Sequence, residues 1–392
     1  MNEKETGKGF SRSTGGWLPH QRRIAVTILG MLVVASIMVS GCGKTNSGTN
    51  RIAGMIPNSM LLDGNILYVV NSGDSTISVD SINVSDKKPY VIALSQPAGS
   101  VYGLLYAISV TEGTVQSLSS GENSLINITN KGIISLPVAS YPEYMTVTTV
   151  NGMHKGYVTL NGTNQVAVLN LDKNTVLGYI TITSYTTWPS SFQTHPWGIA
   201  MVNGKVMVAN NGADYAASPA PTYTQPAMIS VIEPASDTLL TPITTTTGIN
   251  LQAVEPLTQT GFAVISSGNY GTVGGYAELF DSSSHETAAV PLSGGGAGIA
   301  ISTTGIGYVA LNSMVGYDTV NTNTGTWITT TDLTKQVPGL SGFNLTSIKF
   351  APDGTLWATD WQDNMVFEIN PQTNKVIQFK LTEPAQDVVF VY

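Results

Sequence analysis

Side chains able to do chemistry are sparse in this sequence, and they fall into no catalytic spacing. Four histidines (His20, His154, His195, His285) and one cysteine (Cys42) are scattered over 392 residues. There is no Gly-x-Ser-x-Gly nucleophile elbow, no His-Glu-x-x-His zinc helix and no Cys-x-x-Cys-His haem attachment. A single cysteine excludes a disulfide framework and any multi-cysteine zinc or iron–sulfur site. The glycine run Ser293–Gly298 leads into strand-like Ile299-Ala300-Ile301, whereas a phosphate cradle needs a helix N-terminus after the glycines. The expectation is no catalytic residue and no cofactor. A divalent metal such as Ca²⁺, held by Asn, Asp and Glu oxygens, stays open.

Binding vocabulary is richer. The stretch 183–196 (TSYTTWPSSFQTHP) carries Tyr185, Trp188, Phe192 and His195, with Trp197 just behind. The stretch 211–227 (NGADYAASPAPTYTQPA) carries Asn211, Asp214, Tyr215 and Tyr223. Tyr270, beside Asn269, and Trp361 and Asp363, around Gln362, are further candidates. Aromatic rings with amides and few charges suit a carbohydrate, a peptide or another neutral polar partner. The competing use is structural: Trp188 and Trp197 would pack between units, and the Pro-rich stretch would be a cover.

Charge narrows the partner further. Only 11% of residues are charged, against roughly 25% in ordinary domains, so Ser, Thr, Asn and Gly must make the surface. Residues 42–392 hold 12 basic and 23 acidic side chains, a net charge of −11, and Arg51 is their only arginine. Nucleic acids are recognised through Lys and Arg on phosphates, so nucleic-acid binding is excluded.

The N-terminus reads as an address. Arg22-Arg23 precede an apolar run from Ile24 to Val39, which ends in Val39-Ser40-Gly41-Cys42. That is the layout of a secretory signal, and the run is short for a membrane span of about 20 residues. Small residues directly before the only cysteine resemble the bacterial lipobox. The resemblance implies a signal peptide over 1–41, cleaved before a diacylglycerol-modified Cys42. Residues 42–55 then carry the lipid and a flexible tether, and two acyl chains suffice for stable anchoring. Twin-arginine export is incompletely matched, so general secretion is expected. Gly43 after the cysteine points to the outer membrane in a Gram-negative host.

The remainder repeats. Short apolar segments ending in a small polar residue recur at Asn71, Ser109, Asn161, Asn210, Ser266, Asn312 and Asp360, about 48 residues apart on average. Each is bounded by Gly, Asn, Asp or Pro, and amphipathic helix patterns are absent after residue 42. Residues 347–381 show a whole unit: strand, Asp353-Gly354 turn, strand, polar loop, strand, turn at Asn374-Lys375, strand. Four strands per unit of about 45 residues describe a β-propeller blade. Tyr68-Val69-Val70-Asn71, Tyr157–Asn161 and Ala209-Asn210-Asn211 resemble the YVTN-type repeat family, and the last unit is similar to NHL repeats. This implies an all-β fold over 56–392, a single β-propeller of seven four-stranded blades, with six or eight also compatible. The unit around Tyr106 departs most from the pattern.

In that architecture the two enlarged stretches flank the fourth blade and emerge on one face. The terminal strand Val388–Tyr392 is left over and is expected to pair with the first blade. The seven strand-ending polar residues are expected to satisfy backbone groups at turns. Three functions follow as expectations. The first is a lipid-anchored module of the cell envelope that binds a protein, glycan or envelope partner, with its membrane contact through Cys42. The second is a metal-assisted periplasmic lactonase or lyase. The third is a structural, adhesin-like surface component.

Overall fold

The computed structural model describes residues 57–391 apart from 73–74, 85–89, 96–113, 117–124, 184–187, 190, 215–220, 224–226, 259, 270–273, 342–343 and 382–384. Cys42, the leader and the tether lie outside the described residues, as does Ser109 with the segment around Tyr106. The chain opens with β1 (Pro57–Asp63), β2 (Ile66–Asn71), β3 (Thr76–Val84), β4 (Tyr90–Ser95), β5 (Thr114–Gln116) and β6 (Leu125–Ser135). Next come β7 (Pro142–Val150), β8 (Met153–Leu160), β9 (Gln165–Asn170) and β10 (Thr175–Thr181). The third group is β11 (Pro196–Val202), β12 (Lys205–Asn210), β13 (Ala213–Asp214), β14 (Thr222–Tyr223), β15 (Met228–Glu233), β16 (Thr238–Leu239) and β17 (Ile243–Thr244). Three regular quartets follow. They are β18 (Leu251–Pro256), β19 (Phe262–Ser266), β20 (Tyr276–Phe280), β21 (Glu286–Pro291); β22 (Gly296–Ile301), β23 (Ile306–Leu311), β24 (Gly316–Asn321), β25 (Thr326–Asp332); and β26 (Ser347–Phe350), β27 (Leu356–Asp360), β28 (Met365–Ile369), β29 (Val376–Lys380). The chain ends in β30 (Ala385–Val391).

Among the described residues six sheets of four or five strands result, and they are blades of a single all-β propeller. Six is the lower of the counts that the repeat spacing allows. Successive inner strands β1, β7, β11, β18, β22 and β26 pack side by side, and β30 fits between β26 and β1. β30 pairs antiparallel with β4, Val389 opposite Ile92.

Among the described residues β5 and β6 extend the first blade and β4 joins β30, so the enlarged stretches, expected at the fourth blade, flank the third of the described blade sheets in chain order. The closing strand pairs antiparallel with β4, which follows the third strand of the first blade in the chain, and it packs beside β1 without pairing to it.

Turn chemistry explains the blade shape. Asn203-Gly204 carry φ of 49° and 75°, the left-handed pair that a two-residue hairpin needs. The turns between third and fourth strands end in a left-handed residue blade after blade: Asn174, Asp237, Ser284, Gly325, Asn374. At their start, Asn321 and Asn370 accept backbone N–H bonds from the following residues. The core lies between blades rather than within them. Tyr68, Val70 and Ile77 of blade one meet Val158, Leu160 and Leu169 of blade two, and the pattern repeats around the ring. In the last such layer Val388 of β30 meets Trp357 and Val366 of blade six.

Candidate ligand-binding face

Each inner strand starts at the end of the ring where the second strand finishes, since Pro57 pairs with Asn71 and Pro196 with Asn210. Both enlarged stretches reach that end, and they are hydrogen-bonded to each other. Gln193 and Ala213 exchange N–H···O bonds of 2.9 and 3.1 Å, Gly212 donates to the Thr194 carbonyl and Asn211 to that of His195, both at 3.0 Å. β13 and β14 then fold the longer stretch back on itself. Asn164 of blade two anchors this ledge by accepting from the Thr194 hydroxyl (3.1 Å) and the His195 N–H (2.9 Å).

Predicted residues separate into several groups. Trp188 is 7% exposed and packs among Tyr157, Val166, Val208 and Met228, so its indole belongs to the core between blades two and three. Gly212 (φ +61°) crosses directly over it, and a Cβ there would lie 2.9 Å from the ring. Of the two uses expected for Trp188, the structure shows the packing one. His195 is half-buried, its Nδ1 3.2 Å from the Asn161 carbonyl, and burial holds its pKa below the usual histidine value. Trp197 is half-buried at the start of β11, with its ring 6.5 Å from that of Tyr144. Asn211 is buried and accepts from Gln252 (3.2 Å), which also donates to Asn250 (2.7 Å). Asp214 and Tyr223 are half-buried within the β13–β14 fold. Trp361 and Asp363 follow the second strand of blade six, at the same end of the ring but three blades away. Tyr185, Tyr215 and Tyr270 lie outside the described residues.

The channel walls hold groups that sequence reasoning did not single out. Glu143, directly after the first residue of β7, accepts from Asn58 of β1 (2.6 Å), and burial pushes its carboxyl well above the usual range. Beside it, Tyr144 is raised by burial and then by the charges of Asp387 and Glu143. Glu255 is exposed by area, yet desolvation lifts its carboxyl to about 7, partly opposed by Lys349. Glu255 lies near the end of the inner strand β18, opposite Ala263 of β19. The sequence signal for Glu143 and Glu255 was a charge inside an inner-strand segment, legible only once the blade order is known.

Of the strand-ending residues, Asn210, Ser266 and Asp360 serve backbone groups as expected, Asn71 and Asn312 reach hydroxyls, the Asn161 Nδ2 is buried without a partner, and Ser109 lies outside the described residues. Asn71 donates to Thr76 and Ser78, Asn210 to the Met228 carbonyl and Ser230, and Asp360 accepts from the Gln362 and Asp363 N–H groups. Among the described residues, no three His, Cys, Asp or Glu side chains converge as a metal set. At the opposite end of the ring a groove of about 320 Å³ is lined by Leu61, Asp63, Thr146, Thr148 and His154. The His154 imidazole there is engaged by Asp172 at 2.7 Å. Taken together, the ledge, the Trp197–Tyr144 pair and the amide chain offer stacking surfaces and neutral hydrogen-bonding groups beside a channel whose acids are easily protonated.

The sequence matches no protein-family profile and no curated protein. Solved structures resemble it in fold. Virginiamycin B lyase from Staphylococcus aureus is 14% identical, with 85% of this chain and 86% of that one covered and a TM-score of 0.55. A putative 6-phosphogluconolactonase from Bacteroides fragilis is 15% identical, covering 91% and 92%, with a TM-score of 0.55. The WD40 repeats of RRP9 are 8% identical, covering 86% and 82%, with a TM-score of 0.52. Lyase, lactonase and WD40 repeats thus share this architecture, and at these identities the likeness establishes the β-propeller fold alone.

Proposed function

We propose that the protein is an exported, lipid-anchored propeller of the cell envelope that binds a neutral polar partner, a glycan or an uncharged peptide stretch, on the face described above. The observation that carries this reading is the joining of two enlarged connections into one ledge beside Trp197 and Tyr144. Scaffold strands hold the ledge rigidly, as a recognition surface requires, and amides with aromatic rings match a partner without charge. The lipid on Cys42 would keep that face in the envelope. Titrating neutral oligosaccharides and uncharged peptides against Trp fluorescence tests the reading. Trp197→Ala should abolish the response and leave the melting temperature within about 2 °C. An unchanged response would move the binding face elsewhere.

A second reading, a periplasmic enzyme of the lactonase or lyase class, draws on Glu255. A channel carboxyl titrating near 7 is suited to proton transfer at neutral pH. That reading requires turnover that Glu255→Gln lowers by about 100-fold or more. Binding without turnover would set it aside.

A further inference from the structure

The outermost strand of each blade pairs on one side only among the described residues. Such an edge is a template for another strand, and proteins blunt it with short strands, charge or proline. Four blades do so. Blade one ends in the three-residue β5, and blade three in the two-residue β16 and β17 with Pro242 between them. Blade four ends in β21, which carries Glu286 and Pro291, and blade six in β29, which carries Lys380. Blades two and five are left unblunted. Their outer strands β10 (TVLGYIT) and β25 (TWITTTD) have seven residues each, lack proline and hold one charge between them, Asp332 at the end of β25.

Both edges present apolar side chains by the same device. A β-bulge leaves Leu177 without an opposite residue on β9 and Ile328 without one on β24. A bulge re-aims a side chain, and these two are 49% and 44% exposed. In blade four the residue at that place is the polar Thr287. Tyr179 and Trp327 are exposed on the same two strands, so β10 and β25 carry half of the eight large apolar side chains exposed among the described residues. Blades two and five lie on opposite sides of the ring, with blades three and four between them one way and blades six and one, with β30, the other. We propose that copies of this chain associate edge to edge through β10 and β25. The hydrogen-bonding groups of an open edge take a strand as their partner, and each copy supplies two strands of matching length. Residues 42–392 carry a net charge of −11, so copies repel one another, and an edge almost bare of charge is where that repulsion is least. Two edges on opposite sides give each copy two neighbours, and the product is an open chain of rings. One strand from each copy makes a small contact, which sets the association at about tens of micromolar.

Sedimentation velocity of the full-length protein in detergent, from about 1 to about 200 µM, tests this. Weight-average mass should rise about twofold or more over that range, and further in about 0.5 M NaCl, which screens the repulsion. Leu177→Lys and Ile328→Lys each put a charge on one edge, at exposed positions where Tm should stay within about 2 °C of the wild type. The double variant should keep one mass at every concentration. Where an edge meets its own kind, each single variant should stop at pairs. Where β10 meets β25, each single variant alone should stay monomeric, and an equimolar mixture of the two should form pairs. Either pattern supports the proposal. If a lysine variant does not fold, Tyr179→Lys and Trp327→Lys charge the same two strands. A wild type that keeps one mass throughout overturns the proposal. So does growth that survives in the double variant, which would assign the association to the lipid or to another face.

Discussion

The Lys349 ammonium lies 2.7 Å from Asp387 Oδ1, joining the inner strand of the last complete blade to the strand that ends the chain. Asp387 is 4% exposed and does more than pair with lysine. It accepts from the Ser347 hydroxyl (2.7 Å), from its neighbour Val388 (2.8 Å) and, across the ring, from the Met60 N–H of β1 (3.1 Å). One carboxylate therefore ties together three consecutive inner strands.

Removing that tie should open the ring. Asp387→Ala leaves the Met60 N–H without its acceptor and the half-exposed Lys349 ammonium with only the Val388 carbonyl, a loss of about 2–3 kcal/mol. Asp387→Asn should lose less, since its amide oxygen still accepts from Met60. Chemical denaturation reads both. Deleting residues 384–392 removes the strand altogether and should give insoluble or sharply destabilised protein. A truncated chain with the wild-type melting curve would contradict this closure.

Stability should rise as the solution is made mildly acidic. Glu278 Oε1 accepts from the Gly248 and Thr247 N–H groups, while its Oε2 is buried without a partner, and desolvation lifts the carboxyl to about 7. A folded-state value above the unfolded 4.5 favours the protonated form. Its contribution is therefore complete below pH 4.5 and is lost as pH rises through 7. Glu255 and Glu143 shift in the same direction. Melting temperature should climb from pH 8 to pH 5. Glu278→Gln, neutral at every pH, should gain on the order of 3 kcal/mol over the wild type at pH 8 and little at pH 5. A pH-independent difference between the two would assign Glu278 another role.

Two tryptophans nine residues apart should respond in opposite ways to truncation. Trp188→Ala empties a core site and should cost about 3–5 kcal/mol, whereas Trp197→Ala should cost under about 1 kcal/mol and act on ligand response. Gly212→Ala offers a finer probe of the same spot. Its Cβ meets the Trp188 ring at 2.9 Å on a left-handed backbone, so a loss of about 1–2 kcal/mol is expected. Thermal melts of the three variants check the ranking.

What was legible in the sequence was local. The turn residues Asp353-Gly354 and Asn374 fall where their backbone freedom is used, and the four strands of 347–381 form as the pattern implies. The meeting of the two enlarged stretches was also legible, because alternating strands place both connections at one end of the ring. Distant pairing was not. Nothing in Tyr90–Ser95 names Ala385–Val391 as its partner, since both are apolar runs that would fit many edges. The choice between the two uses of Trp188 was not legible for a related reason: a tryptophan in a polar stretch fits either use until Gly212 is seen to bring the backbone across it. Glu143 and Asp387 carry no local signal, because their partners Asn58, Met60 and Ser347 come from other inner strands.

The pairing of β30 with β4 also sets a timetable. Its two strands stand nearly three hundred positions apart in the chain, so loop closure comes at the end of folding. Until residues 385–391 have left the ribosome, the first and last blades have no common strand and the circle has a gap. A chain in that condition is open, threadable and vulnerable to proteases. Once the last strand docks, the same sequence becomes a closed ring whose blades must part together. The final seven residues of β30 thus act as the latch on a cooperative transition, and the moment they dock separates a transportable polymer from a finished protein.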